Sequence, residues 1–130
     1  MPDVGYPAIG VAAIASVVLS TIYYSVFAKQ MASLSPAYED ASRPPTWKIL
    51  VEVLRSLIVA TLLACLAAKL EVTEVTGALL LGLSMWIGFP VVLWAGSVLW
   101  ERVPVRLATI HAGDWLLKLL AISVIVSVWQ

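Results

Sequence analysis

Charge is scarce in this chain. Asp, Glu, Lys and Arg make up 12% of its residues, and hydrophobic residues make up 62%. Soluble domains carry roughly 25% charged residues. A chain of 130 residues has too little interior to hide so much apolar surface. Lipid must therefore solvate much of it. The few charges balance to a formal net of zero, which excludes the basic footprint of a nucleic-acid binder and an acidic tail. There is one cysteine, Cys65, and it lies in an apolar run. It excludes an internal disulfide, the paired thiols of a quinone–thiol oxidoreductase and a cysteine zinc cluster. The single histidine, His111, has no second ligand in view, so no metal site and no cofactor is expected.

What is there is apolar length. A membrane-crossing helix needs about 20 mostly apolar residues. Four stretches qualify: residues 8–28, 47–68, 75–100 and 105–129. The reading is all-α: a polytopic membrane protein with one domain, 1–130, whose four transmembrane helices form a compact bundle. Strands are excluded because each run far exceeds the roughly ten residues of a barrel strand and none alternates polar with apolar. Met1-Pro2-Asp3 lacks a basic region and the first apolar run outlasts a signal-peptide core, so it reads as a retained helix. Lys29 to Thr46 reads as a polar connection, with Pro36, Pro44 and Pro45 stopping the helices on either side and Glu39, Asp40 and Arg43 between them. Lys69, Glu71 and Glu74 mark a short turn, and Glu101 to Arg106 another, with Pro104 near a helix start.

Lys29, Arg43, Lys48, Arg102 and Arg106 fall on one side of the bundle, and Lys69 alone on the other. The positive-inside rule then puts the first and third loops in the cytoplasm and both termini outside. Trp47, Trp100 and Trp129 stand at span ends, where an indole favours the interface.

The first and third spans carry no charge, but the second and fourth do. Residues 56–68, between Arg55 and Lys69, are uncharged and cover roughly 20 Å as helix. The hydrocarbon slab is about 30 Å thick, so Arg55 and Glu52 enter it or snorkel from it. Lys118 lies about 16 Å before Trp129, near the bilayer centre, and Asp114 and His111 follow at about 22 and 27 Å. At about 100° per residue, His111, Asp114 and Lys118 share one face, and Lys48, Glu52 and Arg55 share another. A charge at the bilayer centre costs about 2.5–3.5 kcal/mol on insertion scales. Glu52, Arg55, His111, Asp114 and Lys118 are therefore expected to face inward. Counting from the outer helix ends pairs Arg55 with Asp114 and Glu52 with His111, with Lys118 one turn deeper. Such pairs either fix helix register or handle protons, ions or a polar substrate. His111 is the sharpest titratable candidate, because a histidine beside a carboxylate can change charge near neutral pH.

Ala12, Ser16 and Ser20 in the first span, and Ser84, Gly88 and Gly96 in the third, are small residues that let membrane helices approach closely, within the bundle or across a dimer face. Pro90 is expected to kink the third span, with room for a cavity near Trp86 and Trp94. Tyr23 and Tyr24 read first as interfacial anchors, and second as hydrogen-bonding partners of the charged stripe.

The run Tyr24, Phe27, Lys29 and Met31, and more closely Trp86-Ile87-Gly88-Phe89, Trp100-Glu101-Arg102-Val103-Pro104 and His111-Ala112-Gly113-Asp114-Trp115-Leu116, resembles the bacterial membrane proteins of the domain-of-unknown-function 1761 family. Tyr23, Ala28 and Gln30 depart from its pattern. The resemblance spans nearly the whole chain. It implies about four membrane helices in a bacterial envelope, with the inner membrane the expected location, and brings no activity or catalytic residue with it.

Two functions compete. One is transport of a small solute, ion or proton through the polar cluster, in a homodimer surrounded by membrane lipid, with the small-molecule ligand unspecified. The other is a non-transporting scaffold or accessory subunit. Small multidrug exporters also have four helices, but their first helix carries an essential Glu, and no carboxylate stands here between Asp3 and Glu39. A lipid-acting enzyme using Asp114 and His111 lacks any nucleophile, metal or phosphate motif, so no enzymatic activity is expected.

Overall fold

The computed structural model describes residues 4–35 and 45–129. Among them, six α-helices follow in order: α1 Tyr6–Val26, α2 Ala28–Leu34, α3 Thr46–Lys69, α4 Val75–Trp86, α5 Val92–Trp100 and α6 Val105–Val128. A π-helical turn, Ile87–Val91, joins α4 to α5. Counting α4 and α5 as one continuous element, four helices are long and apolar enough to cross a membrane, and no strand occurs among the described residues.

α6 is the axis of the bundle. It packs against α1 and α3 on one side and against α4 and α5 on the other, while α1 and α3 also pack together. Its buried residues run round the helix, from Leu107 and Ala108 through His111, Asp114 and Lys118 to Ser123, Val126 and Ser127. A helix covered on several sides has no single apolar stripe, which is why polar residues can be buried on it. The apolar core lies towards the C-terminal half of α6, where Leu119, Ile122 and Val126 meet Ile9, Ala12, Ala13, Ala60, Leu63, Ala64 and Ala67. A second cluster, Met31, Leu107 and Ile110, closes the other end, flanked by Tyr23, Tyr24 and Phe27.

Close approach rests on two glycines. A Cβ on Gly82 would lie 2.9 Å from the Leu119 carbonyl oxygen, so α4 and α6 touch backbone to backbone there. A Cβ on Gly113 would lie 2.3 Å from the Tyr23 hydroxyl. In the first span, Ala12 and Ser16 are fully buried. In the third span the expectation is corrected. Ser84 and Gly88 are exposed, and a Cβ on Gly88 or Gly96 would meet nothing within 4 Å. The small residues that face α6 are Ala78 and Gly82, one turn apart.

Two further differences have plain causes. The chain stays helical after α1, through α2, because no proline occurs between Phe27 and Pro36 and residues such as Ala28, Lys29, Gln30 and Met31 favour helix. Pro36, Glu39, Asp40, Arg43 and Pro44 lie outside the described residues. At Pro90 the interruption is a π-helical turn, not a simple bend. Proline lacks the N–H that the helix ladder uses, and a π turn absorbs that loss by adding a residue.

α3 closes with a left-handed residue. Glu71 has φ 55°, the Val72 N–H donates to the Ala67 carbonyl at 2.8 Å, and the Glu71 N–H donates to the Ala68 carbonyl at 3.2 Å. This is the paired hydrogen-bond pattern that satisfies a helix end, built here without glycine. Arg102 repeats the left-handed conformation, φ 56°, after α5.

Candidate functional site

α1 and α6 run antiparallel, so side chains meet in falling and rising order. Ser20 donates to Asp114 Oδ1 at 2.7 Å, and Tyr24, one turn on, meets His111 Nδ1 at 2.8 Å, one turn back. Between them the Tyr23 hydroxyl donates to the Ile110 carbonyl at 2.7 Å, seated over Gly113. From the opposite flank, Trp86 Nε1 donates to the Ala112 carbonyl at 2.7 Å. Trp94 stacks on the His111 ring at 4.6 Å with the planes 10° apart. The middle of α6 is thus gripped from both sides by hydroxyls and indoles.

The π turn explains how two indoles reach one side of α6. Eight α-helical positions separate Trp86 from Trp94 and would set them about 80° apart. One extra residue in the turn takes up about 100°, leaving them within about 20° of each other.

The charged centre is a pair on one helix. Lys118 Nζ lies 3.1 Å from Asp114 Oδ2, one turn along α6. Asp114 is 1% exposed and Lys118 8%. The ammonium also sits 4.8 Å from the centre of the Trp115 ring, an arrangement the ring's negative face favours. Beside Lys118 a cleft of about 10 Å³ opens, lined by Ser16, Glu52, Arg55, Ser56, Val59, Trp115 and Ile122 as well as Lys118 itself. That volume holds about one water molecule.

The two rungs expected from sequence do not form. Arg55 donates to Glu52 on its own helix, an i,i+3 pair whose side chains are 54% and 44% exposed. The α6 charge that shares their cleft is Lys118, not Asp114 or His111. Counting both helices from their outer ends misplaces the register of α3 against α6 by about a turn, and it overlooks the antiparallel neighbour α1. His111, Asp114 and Lys118 do share a buried face, but their partners come from α1, α5 and α6 itself. Tyr23 and Tyr24 are hydrogen-bonding residues here, the lesser of the two sequence readings.

Sequence reasoning missed Gly82 and Gly113, and it assigned Ser20 to packing alone. The available signal was antiparallel order: Ser16, Ser20 and Tyr24 recur every fourth residue, close to the three- and four-residue steps of His111, Asp114 and Lys118 on α6. Ser123 and Ser127 are also buried, and their hydroxyls make no hydrogen bond among the described residues. Ser123 lies beside Gly82, where backbone contact leaves no space for anything larger.

No curated protein and no solved structure matches the chain. A family model does, over residues 7–127, a range that includes every residue of the polar cluster. The chain belongs to that family, described as "Protein of unknown function (DUF1761)".

Proposed function

We propose that this membrane protein handles protons at the Asp114–Lys118 pair, as a multi-pass protein of a bacterial inner membrane with its first and third loops in the cytoplasm. One observation carries the reading: the buried ion pair joins two residues of the same helix. A salt bridge kept for packing would tie one helix to another. Helix register is already set by the Ser20, Tyr23, Tyr24 and Trp86 hydrogen bonds. Two charges at mid-membrane are costly; Ser20 ties Asp114 to α1, whereas Lys118 finds its charge partner on its own helix, and an intramembrane cation held that way points to chemistry.

The cleft narrows what can move. Room for about one water is too small for a solute at that cleft, but it suits a proton. In this reading a water in that space relays a proton from a protonated Glu52 to a neutral Lys118: one O–H bond breaks, one N–H bond forms, and the ammonium so made is neutralised by Asp114. Towards the other face, Leu119, Ile122 and Val126 pack against Leu63 and seal the route. Exchange is therefore one-sided in this conformation, and net transfer needs the apolar half to open.

The test is proton flux in liposomes containing the purified protein and a trapped pH dye, under an imposed potential. Wild-type protein should exceed protein-free vesicles, and Asp114→Asn and Glu52→Gln should each lower the flux at least tenfold. Wild-type flux at background, or variants equal to wild type, would refute the proposal. A second reading, a non-transporting scaffold or accessory subunit, draws support from Asp114 being wholly buried and met by both Ser20 and Lys118. It calls for a stoichiometric copurifying partner and no flux.

A further inference from the structure

Arg55 and Glu52 are charges within a membrane-spanning helix that the bundle leaves partly uncovered. Arg55 lies nine positions after Thr46, about 14 Å along α3 and so inside the roughly 30 Å slab. Both side chains are about half exposed, and each finds its partner on its own helix. Around them the outer face of α3 is apolar: Val51, Ile58 and Leu62 are 43%, 61% and 54% exposed. With Arg55 they fall at 51, 55, 58 and 62, alternating steps of four and three. That is the spacing by which one helix seats its side chains into another, and a polar residue within it fixes register.

We propose that two copies of this chain pair through α3, about a two-fold axis along the membrane normal. The charges argue for a second copy over an unrelated partner. Glu52 and Arg55 are one turn apart and opposite in sign, so the face is complementary to itself. In a parallel pair, Glu52 of each copy lies diagonal to the other copy's Arg55. Four charges then form a neutral ring out of contact with acyl chains, which is the isologous contact a two-fold axis requires. The same contact covers the outer side of the cleft beside Lys118, whose lining includes both residues. The pairing does not depend on the proton reading, and its test involves no flux.

In a Cys65→Ala background, single cysteines at Ile58 and Leu62 should give disulfide-linked dimers on mild oxidation in native membranes. A cysteine at Leu80, exposed on α4, should not. Cross-linking at Leu80 and not at Ile58 or Leu62 would overturn the assignment, as would a monomer mass for wild type by native mass spectrometry from lipid discs. Charge exchange adds an independent arm. E52R gives a copy with two positive charges on this face, and R55E a copy with two negative charges. Expressed alone, each should lose dimer at least tenfold. Co-expressed with different tags, they should copurify. Each variant pairing with itself but not with the other would refute the ring, and would assign the wild-type charges to snorkelling towards lipid headgroups. If the charge variants fail to fold, the cysteine comparison still decides.

Discussion

Lys118 Nζ stands 3.1 Å from Asp114 Oδ2 on one helix, and the hydrogen bond from Ser20 links that pair to α1. The two charges neutralise each other without bridging helices. Removing one strands the other in a medium that cannot solvate it, at a cost of about 3–5 kcal/mol. Asp114→Asn and Lys118→Met should each destabilise the bundle by that order. The double variant, in which the introduced amide oxygen can still accept from Ser20, should be more stable than either single variant. Thermal unfolding in a fixed detergent checks this. A double variant costing the sum of the two singles would show that the residues do not act as a pair.

Gly113 and Tyr23 form a second coupled pair. Alanine at position 113 favours helix by about 1 kcal/mol over glycine in an interior turn. Its methyl, however, would sit 2.3 Å from the Tyr23 hydroxyl. The ring must move and release the Ile110 carbonyl. Gly113→Ala is therefore expected to lose about 1–3 kcal/mol in the wild-type background, the cost of an unmade buried hydrogen bond. In Tyr23→Phe that bond is already absent and the obstructing oxygen is gone, so the same substitution should be near neutral. A double-mutant cycle measures the difference. Equal costs in both backgrounds would deny the contact.

Gly82 has no such remedy. A Cβ there meets the Leu119 backbone, which cannot rotate away. Gly82→Ala should destabilise the contact between α4 and α6, and Gly82→Leu should prevent native assembly. Gly88→Ala, with open space around it, should be tolerated within about 0.5 kcal/mol. Comparing the three by detergent unfolding separates a packing glycine from a lipid-facing one. A tolerated Gly82→Leu would be incompatible with backbone contact at that point.

The contrast between Gly82 and Gly88 shows where sequence stops informing. Spans were legible because lipid demands about 20 apolar residues, whatever the packing. The buried face of α6 was legible because charge near the middle of a span gains by turning inward; Arg55 and Glu52, nearer the start of α3, stay half exposed. Which neighbour it turns towards was not, because nearly every outward residue of a membrane helix is apolar too. Without a polar–apolar boundary, small residues at Gly82, Ser84, Gly88 and Gly96 look alike in one dimension. The pairing of Ser20 and Tyr24 with Asp114 and His111 needed the added knowledge that α1, and not α3, lies along that stretch of α6. The rotation of Trp94 onto His111 depends on a π turn, and proline at position 90 signals an interruption without saying which kind.

The turn after α3 offers a gain in stability. Glu71 holds φ 55°, a left-handed conformation in which its Cβ crowds the backbone. The strain amounts to about 1–2 kcal/mol for an L residue and is absent for glycine. The conformation persists because the Val72 and Glu71 N–H groups cap the Ala67 and Ala68 carbonyls, and those bonds belong to the backbone, not to the side chain. The Glu71 side chain is exposed. Glu71→Gly removes the crowding and keeps both hydrogen bonds, while the greater freedom of glycine in the unfolded chain offsets part of the benefit. A net stabilisation of about 0.5–1 kcal/mol is expected, read as a rise of a few degrees in Tm. Arg102→Gly, at φ 56° after α5, should behave alike. The opposite control is Glu71→Val, because a β-branched residue tolerates this φ least. It should lower Tm. If glycine and valine shift Tm in the same direction, backbone strain does not govern this turn.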